Sequence, residues 1–327
     1  MSTEILQAPK LSTSRMLLLG ASSVVLCLSY LMAMFTPFPL AMATVLYGRA
    51  RGYGMVAVGF VVCILLGQFV FLDYTLASSY ALLALFAAVI SEAVLRSWRP
   101  VRSLVITGLV FLAALFGTGY SYVTSQNSTI KEVVISEVSQ VLVRLEEAKK
   151  AGSFNQDLAD LGLARPVAEI AQDVINTIPG YVFMGVFFVL WVNMYLVLKG
   201  RRLLQPDQTH QYDEGTLLNF KMPLAGVYAV VTGLALSVWG DQVSPEWGTT
   251  GGLVILRAIG VFYFFQGFGV ALGFLNHFQI VGFFRTLFVM AVVFFVPWML
   301  ALLGLFDTWF DFNQKLKKKV SNFKEPL

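Results

Sequence analysis

The sequence predicts an all-α protein, a polytopic bundle of transmembrane helices with about eight or nine spans. Of its 327 residues 57% are hydrophobic and only 13% charged, where an ordinary soluble domain carries about 25% charged residues. The mean hydropathy is +0.73, and the basic residues gather beside apolar runs instead of spreading over one surface. A net charge of +4 and a pI near 9.0 would suggest nucleic acid in a soluble protein. Here they report membrane topology, and no nucleic-acid partner is expected.

Residues 1–14 are polar, and Arg15 immediately precedes the apolar run Met16 to Phe35. This reads as an uncleaved signal anchor with the N terminus cytoplasmic, because the Ala41-Met42-Ala43 pattern lies too far along for a cleavage site. Thr36 to Pro39 should break the first helix, leaving Leu40 to Gly48 as a short second span that ends at Arg49 and Arg51. A third span covers Tyr53 to Leu72, Asp73 marks an outer turn, and a fourth covers Thr75 to Leu95. Arg96, Arg99 and Arg102 then mark a cytoplasmic loop, with Glu92 placed to pair with Arg96.

A fifth span, Ser103 to Val123, leads into a long water-facing insert, 124–178, with five basic and eight acidic residues. Such an acidic insert belongs outside. Ile130, Val134, Val138, Val141 and Leu145 form one helical stripe, with Gly152 as its stop. Val167, Ile170, Ala171, Val174, Ile175 and Ile178 form a second between Pro166 and Pro179. Each apolar face needs the membrane surface, the other helix or a partner protein.

The sixth span, Tyr181 to Leu198, ends at Lys199, Arg201 and Arg202, and a polar cytoplasmic loop follows. The seventh is Met222 to Trp239, and the next loop holds Asp241 and Glu246 without Lys or Arg. The central span, Gly251 to Gln279, therefore runs inward. Its Gly269 and Gly273 have the spacing that lets helices approach closely in lipid. The last run, Phe283 to Phe306, contains Pro297 and is followed by Lys315, Lys317, Lys318 and Lys319. A single crossing would put these lysines outside, against the positive-inside rule. A chain turning back at Pro297 reconciles the two, and a cytoplasmic C terminus is expected. Asp307, Trp309, Phe310 and Asp311 read as an interfacial cap. The chain divides accordingly into a bundle over 1–202, a loop over 203–221, C-terminal membrane helices over 222–313 and a basic tail over 314–327.

Several segments carry a resemblance: PLAMATVLYGRARGYG after Phe38, WVNMYLVLKGRRLL around Asn193, FFQGFGVALGFLNHF in the central span and the terminal LLGLFDTWFDF. Together they resemble the YybS-like family of bacterial multi-spanning membrane proteins. The first six spans are also similar to the S components of energy-coupling-factor vitamin transporters, whose second helix likewise precedes a basic, glycine-containing turn, here Arg49 to Gly54. That similarity implies a six-helix ligand-binding fold. S components dock their coupling subunit through an Ala-x-x-x-Ala motif on the first helix, whereas the first span here reads ASSVV from Ala21 to Val25.

No phosphate-binding loop, HExxH or paired CxxC occurs, and His210 and His277 stand far apart. The chain reads as a non-enzyme without cofactor or metal. Cys27 and Cys63 read as small core residues, and GFGVALG from Gly267 to Gly273 as packing glycines. The functional candidates are polar groups inside spans, which normally face a partner or a cavity. Arg257 either lines the interior or snorkels to the outer headgroups. Gln266 lies at mid-membrane, beyond the reach of water, and makes either an interhelical hydrogen bond or a ligand contact. Asn193 is closer to a cytoplasmic end, Gln68 repeats the Gln266 argument, and His277 sits at a helix end. Arg257 and Gln266, nine residues apart, fall on nearly opposite faces of a straight helix. The resulting expectation is a bacterial cytoplasmic-membrane protein, in contact with lipid, that binds or transports a small molecule. The rival reading is a scaffold or assembly factor meeting a protein through 124–178 or the C-terminal tail.

Overall fold

The computed structural model describes residues 12–29, 31–72, 74–151, 163, 165–205, 212–244, 247–312 and 315. Asp73, Gly152, His210, Glu246 and Lys317 to Lys319, named above, lie outside the described residues. The elements are α1 (Thr13–Leu28), a 3-10 turn (Ala33–Phe35), α2 (Pro37–Tyr47), α3 (Arg49–Leu66) with a π-turn (Gly67–Phe71), α4 (Thr75–Leu95), α5 (Pro100–Ser125) and α6 (Ile130–Lys150). They continue with α7 (Val167–Leu204), α8 (Glu214–Leu218), α9 (Ala225–Val243), α10 (Gly248–His277), α11 (Gly282–Phe295) and α12 (Pro297–Phe310). The protein is all-helical, as expected.

Among the described residues five helices are long and apolar enough to cross a membrane: α3 with its π-turn, α4, α5, α7 and α10. α11 and α12 together make a sixth candidate, bent by 96° at the break before Pro297. α1 and the stretch Ala33–Tyr47 are shorter apolar helices, and α9 carries Asp241 and Gln242 in its last turn. These pieces account for the apolar runs of the sequence.

Three boundaries differ from the sequence reading. The first helix stops at Leu28 and not at the prolines, because Pro37 and Pro39 open α2. Proline lacks only an N–H that a first helical turn leaves unpaired anyway. Pro179 likewise does not end a helix, and α7 runs through it for 38 residues, joining the second stripe of the insert to the sixth span. Pro179 removes one N–H from the hydrogen-bond ladder, and the helix continues on both sides of that single gap. α2, read as a short span, is a core helix: Leu40, Ala41, Met42 and Ala43 are at most 2% exposed. Eleven residues are too few to cross a bilayer but enough to fill the space among α1, α3 and α4.

The chain forms two compact units, one built from residues up to Leu112, Val186–Met222 and the chain from Tyr263 onward, the other from Ala113–Gly185 and Pro223–Phe262. In the first, α1 to α4 close around Tyr80, which is fully buried and shares a 3.2 Å hydrogen bond with Ser23. Gly59 makes this possible, since a Cβ there would lie 2.0 Å from the Tyr80 hydroxyl. Glu92 pairs with Arg96 at 2.9 Å, as expected, and also receives Arg49 Nε at 2.6 Å and the Tyr53 hydroxyl at 3.2 Å. This one carboxylate ties the start of α3 to the end of α4.

In the second unit, α6 opens with a capping box in which Thr129 accepts the Glu132 N–H and the Glu132 carboxylate accepts the Thr129 N–H. No residue of α6 is buried; Val133, Val134, Ile135, Val138, Leu142 and Leu145 are half-covered. α9 and α10 pack backbone to backbone, because a Cβ on Gly248 would fall 1.9 Å from the Gly240 carbonyl oxygen.

Candidate functional site: the α10–α11–α12 crevice and its polar clamp

Helix α12 presents Leu300, Gly304 and Asp307 at intervals of four and three residues, one face of a helix, and all three are buried. Opposite stand Tyr263, Gln266 and Gly267 of α10. A Cβ on Gly267 would lie 1.8 Å from the Leu300 carbonyl oxygen, and one on Gly304 1.9 Å from the Tyr263 carbonyl oxygen. The two backbones therefore touch at a glycine on each side. The close contact falls on Gly267, the first of the packing glycines read from GFGVALG.

Against this seam, Gln266 is 1% exposed and Asp307 3%. Gln266 Oε1 accepts the Met222 backbone N–H at 2.9 Å, and its Nε2 donates to Asp307 Oδ2 at 3.0 Å. The orientation of the amide follows from chemistry: an N–H must meet the oxygen, and a carboxylate must meet the NH2. Both ends of the amide are engaged, so Gln266 joins α10, α12 and the segment before α9. Asp307 is thus an interior group and not part of an interfacial cap, whereas Trp309 and Phe310 are half-exposed. One turn further, Asp311 pairs with Lys221, bringing the end of α12 beside the 203–221 segment.

Below the clamp, α10, α11 and α12 enclose an apolar crevice of about 460 Å³. Phe274, Phe278, Phe288, Val292, Met299 and Leu303 are among its lining residues, none of which is polar. The bend before Pro297 creates it, since a straight helix would leave no pocket between its own halves. In the first turn of α11, Arg285 Nη1 donates to Asn276 Oδ1 at 2.8 Å.

The other candidates lie apart from this site. Asn193 is fully buried in α7, where its Nδ2 donates to the Met34 carbonyl at 3.0 Å and the Val189 carbonyl at 2.8 Å. Its Oδ1 has no hydrogen-bond partner and borders a small apolar pocket of about 40 Å³ lined by Met34, Phe35 and Phe188. Asn193 thus fixes the 3-10 turn after α1 onto α7. Arg257, in the second unit, is half-buried and stacks over Tyr181 at 4.6 Å. Gln68 is exposed within the π-turn. His277 meets Phe278 edge-on, with ring centroids 5.4 Å apart. Cys27 and Cys63 are buried free thiols.

Sequence reasoning missed Asp307, Met222 and Arg285. The spacing of Gly304 and Asp307 on one face was the available signal for the first.

The model of one family, described as predicted membrane protein (DUF2232), matches residues 15–308. The chain belongs to that family. No curated protein and no solved structure matches it. Membership of DUF2232 covers both the clamp and the crevice.

Proposed function

We propose that this member of the family is a non-enzymatic component of the bacterial cytoplasmic membrane that binds, and in a transport setting hands on, a small apolar molecule. The observation that carries the reading is the crevice of about 460 Å³ among α10, α11 and α12. It falls within the roughly 300–1,000 Å³ of ordinary ligand pockets. The clamp supports a ligand beside Gln266 and not on it, because both ends of that amide are already satisfied. The resemblance of the first six spans to vitamin-transporter S components agrees with a binding role, and in this reading the N terminus, the 203–221 loop and the C terminus are cytoplasmic. Lys221 pairing with Asp311 supports the last of these. The test is recovery of bound hydrophobic molecules, by mass spectrometry, from the purified protein and from Val292→Trp, which fills the crevice. Equal recovery from both would refute the reading.

A scaffold role remains the second reading, favoured by one observation: α6, 21 residues long, buries none of them. A stoichiometric protein partner lost on Val138→Asp would favour it.

A further inference from the structure

The geometry points to an anionic phospholipid as the occupant of the α10–α11–α12 crevice, with its phosphate on Arg285 and one acyl chain among the phenylalanines. The inference rests on the binding reading above and deepens it: the apolar part held in the crevice is an acyl chain, and the charged headgroup it carries lies outside the apolar lining. Two features of the crevice lead to it.

The first is the complete lack of polar side chains in the lining. A vitamin-like solute would leave its own polar groups without partners there, at a cost of about 1–3 kcal/mol each. A hydrocarbon chain has none to satisfy.

The second is the charge at one end. Arg285 stands three residues before Phe288 and seven before Val292, so all three share one face of α11, and the latter two line the crevice. It lies in the first turn of α11, at the end where the chain leaves α10 and where a headgroup would sit. Its hydrogen bond goes to a neutral amide, Asn276, and among the described residues no carboxylate pairs with it. The other groups around that end do not neutralise it. His277 follows Asn276 on α10, and on α12 the carboxylate of Asp311 is taken by Lys221. An unneutralised guanidinium at the mouth of an apolar slot matches a phosphate carried on a chain. Arginine holds phosphate through paired N–H donors, and the chain would be buried at about 0.8 kcal/mol per methylene.

The experiment uses the full-length protein in phosphatidylcholine nanodiscs doped with either phosphatidic acid or diacylglycerol of identical chains. Lipid retained on the protein is counted by native mass spectrometry. The wild type should retain phosphatidic acid over diacylglycerol by about fivefold, the worth of one cationic side chain at the membrane surface. Arg285→Gln should equalise the two while still retaining diacylglycerol, and Arg285→Lys should restore most of the preference. Equal retention by the wild type, or an unchanged preference in Arg285→Gln, would overturn the phosphate assignment and leave apolar binding standing. Retention of neither lipid would overturn the phospholipid assignment and leave the binding reading to the comparison of the wild type with Val292→Trp.

Discussion

Gln266 Nε2 and Asp307 Oδ2 meet at 3.0 Å between two helices whose backbones are already in contact. In a hydrocarbon setting neither group has water to fall back on. The bond therefore fixes which face of α12 looks at α10, and the other end of the same amide holds the backbone at Met222.

Gln266→Leu removes an acceptor and a donor at once. The Met222 N–H loses its partner and Asp307 loses the Gln266 donor, at about 1–3 kcal/mol for each buried group left unmatched. Thermal unfolding of the detergent-solubilised protein should shift clearly downward, and proteolysis in the 203–221 segment should accelerate because its anchor at Met222 is gone. An unchanged melting curve would mean that the amide does not hold this junction.

The glycine seam makes a sharper demand. A Cβ on Gly304 would enter the Tyr263 carbonyl oxygen at 1.9 Å, and backbone on a packed helix cannot rotate away as a side chain can. Gly304→Ala should therefore cost at least the roughly 1–3 kcal/mol typical of overpacking. The same substitution at Gly54, where nothing lies within 4 Å of the added atom, should be tolerated. Thermal stability of the two variants, measured side by side, makes the comparison.

The apolar runs and their basic borders were legible in the sequence because a bilayer demands long hydrophobic stretches and charge bias at their ends. The fate of α2 was only half legible: a short, mostly apolar helix looks the same whether it faces lipid or protein, and burial by α1, α3 and α4 decides it. Gln266 was identifiable from depth alone. Its partners were not, since Met222 contributes a backbone N–H that no side-chain pattern records, and Asp307 lies 41 residues away behind a bend. Pro297 signalled that break but not its angle. The crevice exists only because of the angle, so no property of the individual residues announced it.

Asp213 caps α8, outside the membrane-spanning helices, and its Oδ1 accepts both the Thr216 N–H at 2.7 Å and the Thr216 hydroxyl at 2.6 Å. Burial pushes this carboxyl up, but those hydrogen bonds, with Arg202 nearby, hold it below its usual value. A folded-state pKa below the unfolded one of about 3.9 means that the cap stabilises above that pH and weakens as pH falls through the folded value. The stabilisation should be constant at neutral pH and lost under acid, read as a fall in the protection factor of the Thr216 amide, its exchange rate relative to an unstructured amide at the same pH, below about pH 4. Asp213→Asn keeps a good cap without a titrating group, so its exchange should not respond to acid in this way; Asp213→Ala should cost about 0.5–2 kcal/mol at all pH values above it.

Arg257 distinguishes a stacked guanidinium from a cation that merely reaches for headgroups. Its Cζ lies 4.6 Å over the Tyr181 ring, and its Cδ is the nearest atom to a Cβ placed on Gly180, at 2.8 Å. The side chain thus lies along α7 instead of extending freely. A snorkelling cation would be replaceable by lysine, because only its charge and reach would matter. A stacked one would not, since the planar guanidinium contributes face-to-face contact that an ammonium lacks. The interaction should be worth about 0.5–2 kcal/mol for a partly desolvated pair. Tyr181→Phe, which keeps the ring face, should be mild, whereas Arg257→Lys and Tyr181→Leu should each destabilise the protein. In a double-mutant cycle the second substitution should then cost little once the first is made. Strict additivity of Arg257→Lys and Tyr181→Leu in thermal stability would show that the ring and the guanidinium are independent, and would return Arg257 to the membrane surface.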